Sequence, residues 1–208
     1  MSFEEMIELE DVWKRYRDDW VLKEVTISFE ENGLFAIFGD NGSGKTTLIK
    51  IMCGLTKPTR GKVRIFGKDI RLGGYKKHLG VLLQENILYE ELTVNENLRF
   101  YSKFYGFSDL AKRVFKEFGL EKYRDTKVGE LSYGWKKRAN IVRALLGDPP
   151  ILLLDEPFAG LDEKTRKTVG ELLTELSEDK IVIFTIPYKP RIDCEVLKIE
   201  DKHVRTFN

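Results

Sequence analysis

Cysteine, histidine and long apolar runs are scarce in this chain of 208 residues, and each scarcity removes a class of function. Cys53 and Cys194 have no metal-ligand neighbours at the usual spacing, and two thiols make no disulfide framework. Both are expected to be reduced, one or both buried. No apolar stretch approaches the roughly 18 residues of a membrane span. Met1-Ser2-Phe3-Glu4-Glu5 lacks a basic region followed by an apolar one, so it does not read as a signal peptide. The net charge of +1 gives no argument for a phosphate-backbone partner, and no nucleic acid is expected. The short cluster Lys136-Lys137-Arg138 is expected to be a solvated helix face. The sequence has no internal repeat and no low-complexity linker.

What is present is ordinary for a folded chain, apart from a high charged fraction of 33%. The length suits one α/β domain carrying an inserted subdomain. The strongest local signal is Gly39-Asp40-Asn41-Gly42-Ser43-Gly44-Lys45-Thr46, which fits the P-loop pattern G-x-x-x-x-G-K-[ST]. The apolar run Leu34-Phe35-Ala36-Ile37-Phe38 precedes it, and Leu48, Ile49, Met52 and Leu55 follow at helical spacing. Strand, loop and helix are the context that the motif needs. Backbone N–H groups of such a loop form a nest for polyphosphate oxygens. The candidate set is Gly39, Asn41, Gly42, Ser43, Gly44, Lys45, Thr46 and Thr47. Lys45 would reach the β- and γ-phosphates, and the Thr46 hydroxyl would ligate Mg²⁺.

Periodicity then divides the chain. Residues 7–30 read as short β-like pieces with a turn at Arg17-Asp18-Asp19. Lys62 to Gly67 reads as a strand with Val63 and Ile65 on one face, and Gly80 to Gln84 as another ending in a polar residue. From about 86 to 147 the period changes from 2 to 3.6. Thr93-Val94-Asn95-Glu96 fits a capping box for a helix to Tyr105. A second helix carries Leu110, Val114, Phe115 and Phe118 and stops at Gly119. A third runs from Ser132 or Tyr133 to Leu146, closed by Gly147 and Pro149-Pro150. Afterwards come a strand Ile151–Leu154, a helix from Glu163, a strand Ile181–Thr185 and two short strands near Val196–Ile199 and Val204–Phe207. The expected fold is an α/β P-loop NTPase (RecA-like) core, residues 1–84 and 148–208, with an N-terminal antiparallel β region. An all-helical insert, residues 85–147, interrupts it.

The run Ile151-Leu152-Leu153-Leu154-Asp155-Glu156 looks like a buried parallel strand ending in two carboxylates. Ligands sit at the carboxyl ends of such strands. Asp155 would hold Mg²⁺, and Glu156, one residue on, could polarise an attacking water as general base. Taken alone the pair is equally well a solvated acidic turn. The P-loop upstream favours the nucleotide site.

Order and spacing now point to a family. Leu131-Ser132-Tyr133-Gly134-Trp135 resembles the L-S-G-G-Q signature of the ABC (ATP-binding cassette) transporter ATPases, and Phe158-Ala159-Gly160-Leu161-Asp162 resembles their D-loop. Gln84 stands where the family's Q-loop glutamine senses Mg²⁺ and the γ-phosphate. Tyr16 stands where an aromatic ring stacks on adenine, although Trp13 and Trp20 compete for that role. The resemblance covers residues 7 to 186. It implies ATP as ligand, Mg²⁺ held by Thr46, Gln84 and Asp155, and catalysis by Glu156, Gln84 and Lys45. It implies a second cassette in a homo- or heterodimer, whose ATP would meet Ser132 and the Gly134 N–H. It also implies an integral membrane permease, which would hold the chain on the inner, cytoplasmic face of the membrane and dock near residues 85–105. Glu91 to Leu98, followed by Tyr105-Gly106, resembles drug- and polysaccharide-export subunits.

Three departures qualify the resemblance. Ile186 stands where the family has a histidine touching the γ-phosphate, and neither His78 nor His203 is placed to substitute. Tyr133 and Trp135 replace a glycine and a glutamine of the signature, so Tyr133 could narrow the approach to a partner's phosphate and Trp135 could be either packing or contact. The segment after Pro187 is short, and no extra regulatory domain is expected in it. The expectation is an ATP-driven transport subunit whose own site hydrolyses slowly. A soluble ABC ATPase, or a nucleotide-binding regulatory module, is the alternative.

Overall fold

The computed structural model describes residues 6–207, so the reading of Met1–Glu5 lies outside the described residues. Two sheets carry the chain. Strands β1 (Ile7–Tyr16) and β2 (Asp19–Phe29) form a hairpin, joined in one antiparallel sheet by β4 (Arg60–Ile65) and β5 (Lys68–Asp69) in the order β2-β1-β4-β5. They are two long strands with register shifts, not the short pieces expected, and Asp11 (φ 46°) and Glu24 (φ 51°) sit at left-handed backbone positions within them. Irregularities of this kind break the period-2 pattern on which the sequence reading relied.

The second sheet has the order β10-β9-β3-β8-β7-β6. Its strands are β3 (Gly33–Phe38), β6 (Leu79–Leu82), β7 (Ile151–Leu154), β8 (Ile181–Ile186), β9 (Glu195–Glu200) and β10 (His203–Thr206). All its pairs are parallel except β9 with β10. Helices α1 (Lys45–Met52) and α5 (Glu163–Leu176) belong to this core, while α2 (Val94–Tyr105), α3 (Asp109–Glu117) and α4 (Tyr133–Ala144) lie between β6 and β7 in sequence.

Both faces of the central strands are buried, and alternation assigns each residue to one face. Leu34, Ala36, Leu152, Leu154, Val182, Phe184 and Ile186 share a core with residues of α2, α3, α4 and α5. Phe35, Ile37, Ile151, Leu153, Ile181 and Ile183 face the opposite way, into a core shared with α1 and the first sheet. Each buried Leu, Ile, Val or Phe among them contributes roughly 1.5–3 kcal/mol. The same alternation turns Asp155 and Thr185, next in line on β7 and β8, toward the α1 face (from the register Leu154↔Phe184).

Several sequence expectations shift. The strand expected to end at Gln84 ends at Leu82, where the last carbonyl accepts from Asp155 N (2.8 Å). Leu55 is not on the α1 face: Gly54 (φ 71°) turns the chain after Cys53, and Leu55 is 58% exposed. Helix α4 stops at Ala144, and Asp148 (φ 49°) makes the tight turn assigned to Gly147. The capping box is present: Thr93 Oγ1 accepts from Glu96 N (3.1 Å), and Thr93 N donates to Glu96 Oε2 (2.8 Å). Cys53 and Cys194 are free thiols, the first buried.

Candidate functional site

The loop between β3 and α1 is built by close approach. A β-carbon at Gly39 would lie 2.7 Å from the Ile199 carbonyl and 2.9 Å from Ser43 Oγ. Gly44 caps α1 at φ 110°, with Leu22 and Val21 side chains near 3 Å from where its β-carbon would be. Only glycine combines that space with that backbone. Lys45 is 5% exposed, and its ammonium donates to the carbonyls of Gly39 (2.7 Å) and Asp40 (2.9 Å). The amine therefore lies across the mouth of the loop.

A cleft of about 540 Å³ opens beside it, lined by Tyr16, Val21, Asn41, Gly42, Gly44, Lys45, Thr46, Thr47, Gln84 and Glu156. Eight of the residues marked in the sequence as phosphate, base or metal contacts thus share one wall with the expected general base. Gly39 and Ser43 line the opposite side of the loop instead. Tyr16 is 45% exposed at the hairpin end, with the Lys14 amine 4.7 Å from its ring. Trp13 and Trp20 pack edge to face at 5.2 Å, with Arg15 and Arg60 over Trp20, and neither lines this cleft. Of the three aromatics only Tyr16 can offer a ring to a base there.

Asp155 is fully buried beneath the cleft. Its Oδ1 accepts from Thr185 Oγ1 (2.6 Å), and its Oδ2 has no hydrogen-bond partner among the described residues. Thr185 Oγ1 in turn accepts from Glu156 N (2.9 Å). Glu156 holds a left-handed backbone (φ 48°), a costly conformation for a side chain with a β-carbon, and that turn sends its carboxylate into the cleft. Sequence reading missed Thr185; a hydroxyl inside the apolar run Ile181–Ile186 was the available signal. Gln84 Nε2 lies 3.4 Å from Thr46 Oγ1, a long contact that brings both expected metal contacts together.

The oxygen set of Thr46, Gln84 and Asp155 suits Mg²⁺, a hard cation that takes few protein ligands and keeps waters. The free Asp155 Oδ2 is the orphaned buried atom such an ion would satisfy.

Ser132 and Gly134 lie outside this cleft. Ser132 is the N-cap of α4 and makes no side-chain cap bond. The Tyr133 ring lies on Gly160, so close that a β-carbon there would be 2.3 Å from its edge. It thus covers its own D-loop. Trp135 packs on Tyr123 (4.3 Å between ring centroids) and under the Arg138 guanidinium (4.0 Å), which makes it part of the helical core. The expected solvated face at Lys136-Lys137-Arg138 is not one. Lys137 is 4% exposed, because its position on α4 turns inward beside Asn140 and Ile141. Ile186 is 6% exposed and faces the helical core with Phe184.

Residues 22–159 match the family model described as ABC transporter. The chain is 37% identical over 187 residues to the Nod factor export ATP-binding protein I of Burkholderia orbicola, covering 86% of this chain and 62% of that protein. It is 36% identical over 187 residues to the probable multidrug ABC transporter ATP-binding protein YbhF of Escherichia coli, covering 86% of this chain and 32% of that one. The chain therefore spans less than two thirds of the length of these relatives. A structure described as the ATP-binding subunit of an ABC transporter superposes with a TM-score of 0.87 at 30% identity, over 96% of this chain and 88% of that one. A dimeric post-hydrolysis state of the ATP-binding cassette MJ0796, bound to ADP and Pi, gives 0.84 at 30% identity, over 97% and 98%. A P-loop NTPase core, a signature helix and these likenesses lead to one assignment: the chain belongs to the ABC transporter family, and it carries that family's ATP-binding domain.

Proposed function

We propose that this ATPase domain binds Mg-ATP in the cleft between the Gly39–Thr46 loop and the Asp155–Glu156 turn and pairs head to tail with a second cassette. ATP closes the pair, hydrolysis opens it, and a separate membrane permease uses the motion. The observation that carries the reading is the shared cleft of Tyr16, Lys45, Thr46, Gln84 and Glu156. In it Tyr16 stacks on the base, the loop N–H groups and Lys45 hold the phosphates, and Glu156 accepts the proton of the attacking water. Thr46, Gln84 and Asp155 hold Mg²⁺, which when bound offsets the charge of the phosphate oxygens. Ser132 and the Gly134 N–H, at the start of α4, serve the partner's ATP. Dimeric neighbours support pairing.

Residues 85–147 act as a subdomain in this reading. A groove of about 270 Å³ lies where it meets the core, lined by Leu55, Leu79, Leu83, Ile87 and Tyr105 among others. The groove suits an amphipathic helix of a permease, which would keep the chain at the inner face of the membrane. No described helix is long and apolar enough to cross a membrane. With the permease reconstituted, Leu55→Asp leaves basal turnover within twofold and removes stimulation by the permease. Equal stimulation in Leu55→Asp counts against docking in this groove.

Slow hydrolysis follows from Ile186, which offers no hydrogen bond and faces the helical core. Ile186→His raises turnover several-fold and lowers thermal stability, since imidazole replaces a buried aliphatic side chain. Wild-type turnover that histidine leaves unchanged removes the slow-site reading.

A further inference from the structure

The start of α4 carries an aromatic ring where the L-S-G-G-Q pattern has glycine. Tyr133 stands between Ser132 and Gly134, the two residues proposed to meet a partner's ATP, and it is 53% exposed. A phenol ring free to turn at that position would stand in the partner's path. It is not free. Its Cδ1–Cε1 edge lies against Gly160, on the side where a β-carbon would project and closer than any β-carbon could come. Ser132 beside it stays exposed.

Gly160 is shaped to receive the ring. It is the third residue of the turn Phe158–Leu161, in which Leu161 N donates to Phe158 O at 3.4 Å, and its backbone is left-handed at φ 71°. An absent β-carbon and a positive φ both select glycine there. The first turn of α4 is held against the same spot: a β-carbon at Gly134 would be 3.3 Å from the Gly160 carbonyl oxygen. A second contact keeps the ring down. The Lys137 amine, buried and without a hydrogen-bond partner among the described residues, stands over the ring at 5.8 Å from its centre. An ammonium is attracted to an aromatic face, and more so when water is excluded.

We propose that Gly160 is a seat for the Tyr133 ring, and that seating the ring is what lets a second cassette bring its ATP to Ser132 and the Gly134 N–H. This rests on the proposed head-to-tail pairing. Gly160 and Tyr133 are positioning residues in it, since neither touches the nucleotide. The two positions then depend on each other. With the ring present, residue 160 has to lack a β-carbon; without the ring, only the left-handed backbone still favours glycine.

The test uses the full chain carrying Glu156→Gln, so that nucleotide is not consumed. Pairing is read by gel filtration with Mg-ATP over a concentration series, nucleotide affinity by calorimetry and folding by thermal unfolding. Gly160→Ala unseats the ring and weakens pairing about tenfold or more, the scale of an overpacked contact, while Mg-ATP affinity of the single chain stays within about threefold. Adding Tyr133→Ala to Gly160→Ala restores pairing to within about threefold of the Glu156→Gln chain. Alanine strains the left-handed backbone equally in both variants, so the restoration isolates the clash with the ring. Tyr133→Phe, which keeps the ring, pairs like the Glu156→Gln chain. If Gly160→Ala does not fold, Gly160→Asn carries the same measurement, because asparagine tolerates the left-handed region and still brings a β-carbon. Undiminished pairing in the Gly160 variant overturns the inference alone, as does a loss that Tyr133→Ala does not restore. A Glu156→Gln chain that stays monomeric with Mg-ATP overturns the pairing itself, and this inference with it.

Discussion

Lys45→Ala lowers Mg-ATP affinity about 100-fold and takes turnover with it. The magnitude follows from the amine's position. Its two donor bonds reach the carbonyls of Gly39 and Asp40, so the charge stands at the mouth of a loop otherwise made of backbone. Charge-assisted bonds to phosphate are worth about 1.5–3 kcal/mol each, and about 2.8 kcal/mol is a factor of 100 in affinity. Truncation leaves two carbonyl oxygens facing an anion, which adds repulsion to the loss. Calorimetric titration in the presence of Mg²⁺ measures the change. Wild-type affinity in the alanine variant would show that triphosphate does not sit on this loop.

Glu156→Gln reduces turnover roughly 10²- to 10⁴-fold while binding of Mg-ATP persists, the range that a lost general base gives. Glutamine fills the same space. The bond from the backbone N–H of residue 156 to Thr185 Oγ1 is kept, so the turn and the Asp155–Thr185 pair survive. What is lost is the oxygen that accepts a proton. An ATP-bound pair that cannot hydrolyse stays closed, so gel filtration with Mg-ATP gives a species of twice the mass. A monomer under those conditions, with or without permease, speaks against an ATP-held pair.

Much of this was legible beforehand because the strongest signals are local. The eight residues Gly39 to Thr46 specify their own backbone conformation, and the apolar runs on either side specify strand and helix. Thr93 and Glu96 form their capping box within one helical turn. Strand β7 ended at Leu154, as a run of leucines stopped by two carboxylates suggests. Boundaries failed where a chain turn, not a side-chain pattern, set the limit: Gly54 ejected Leu55 from α1, and pairing with β7 ended β6 before Gln84.

The identity of the phosphate loop, the acidic strand end and the helical insert is therefore written in short-range pattern, since each depends on residues within a few positions of one another. The contacts that set the site's chemistry are long-range. Thr185 reaches Asp155 across 30 positions, Tyr16 rather than Trp20 meets the cleft, and Lys137 is driven inward at the centre of a basic cluster. Strand register and helix rotation settle these, because a shift of one residue in either would aim the same side chains at another face.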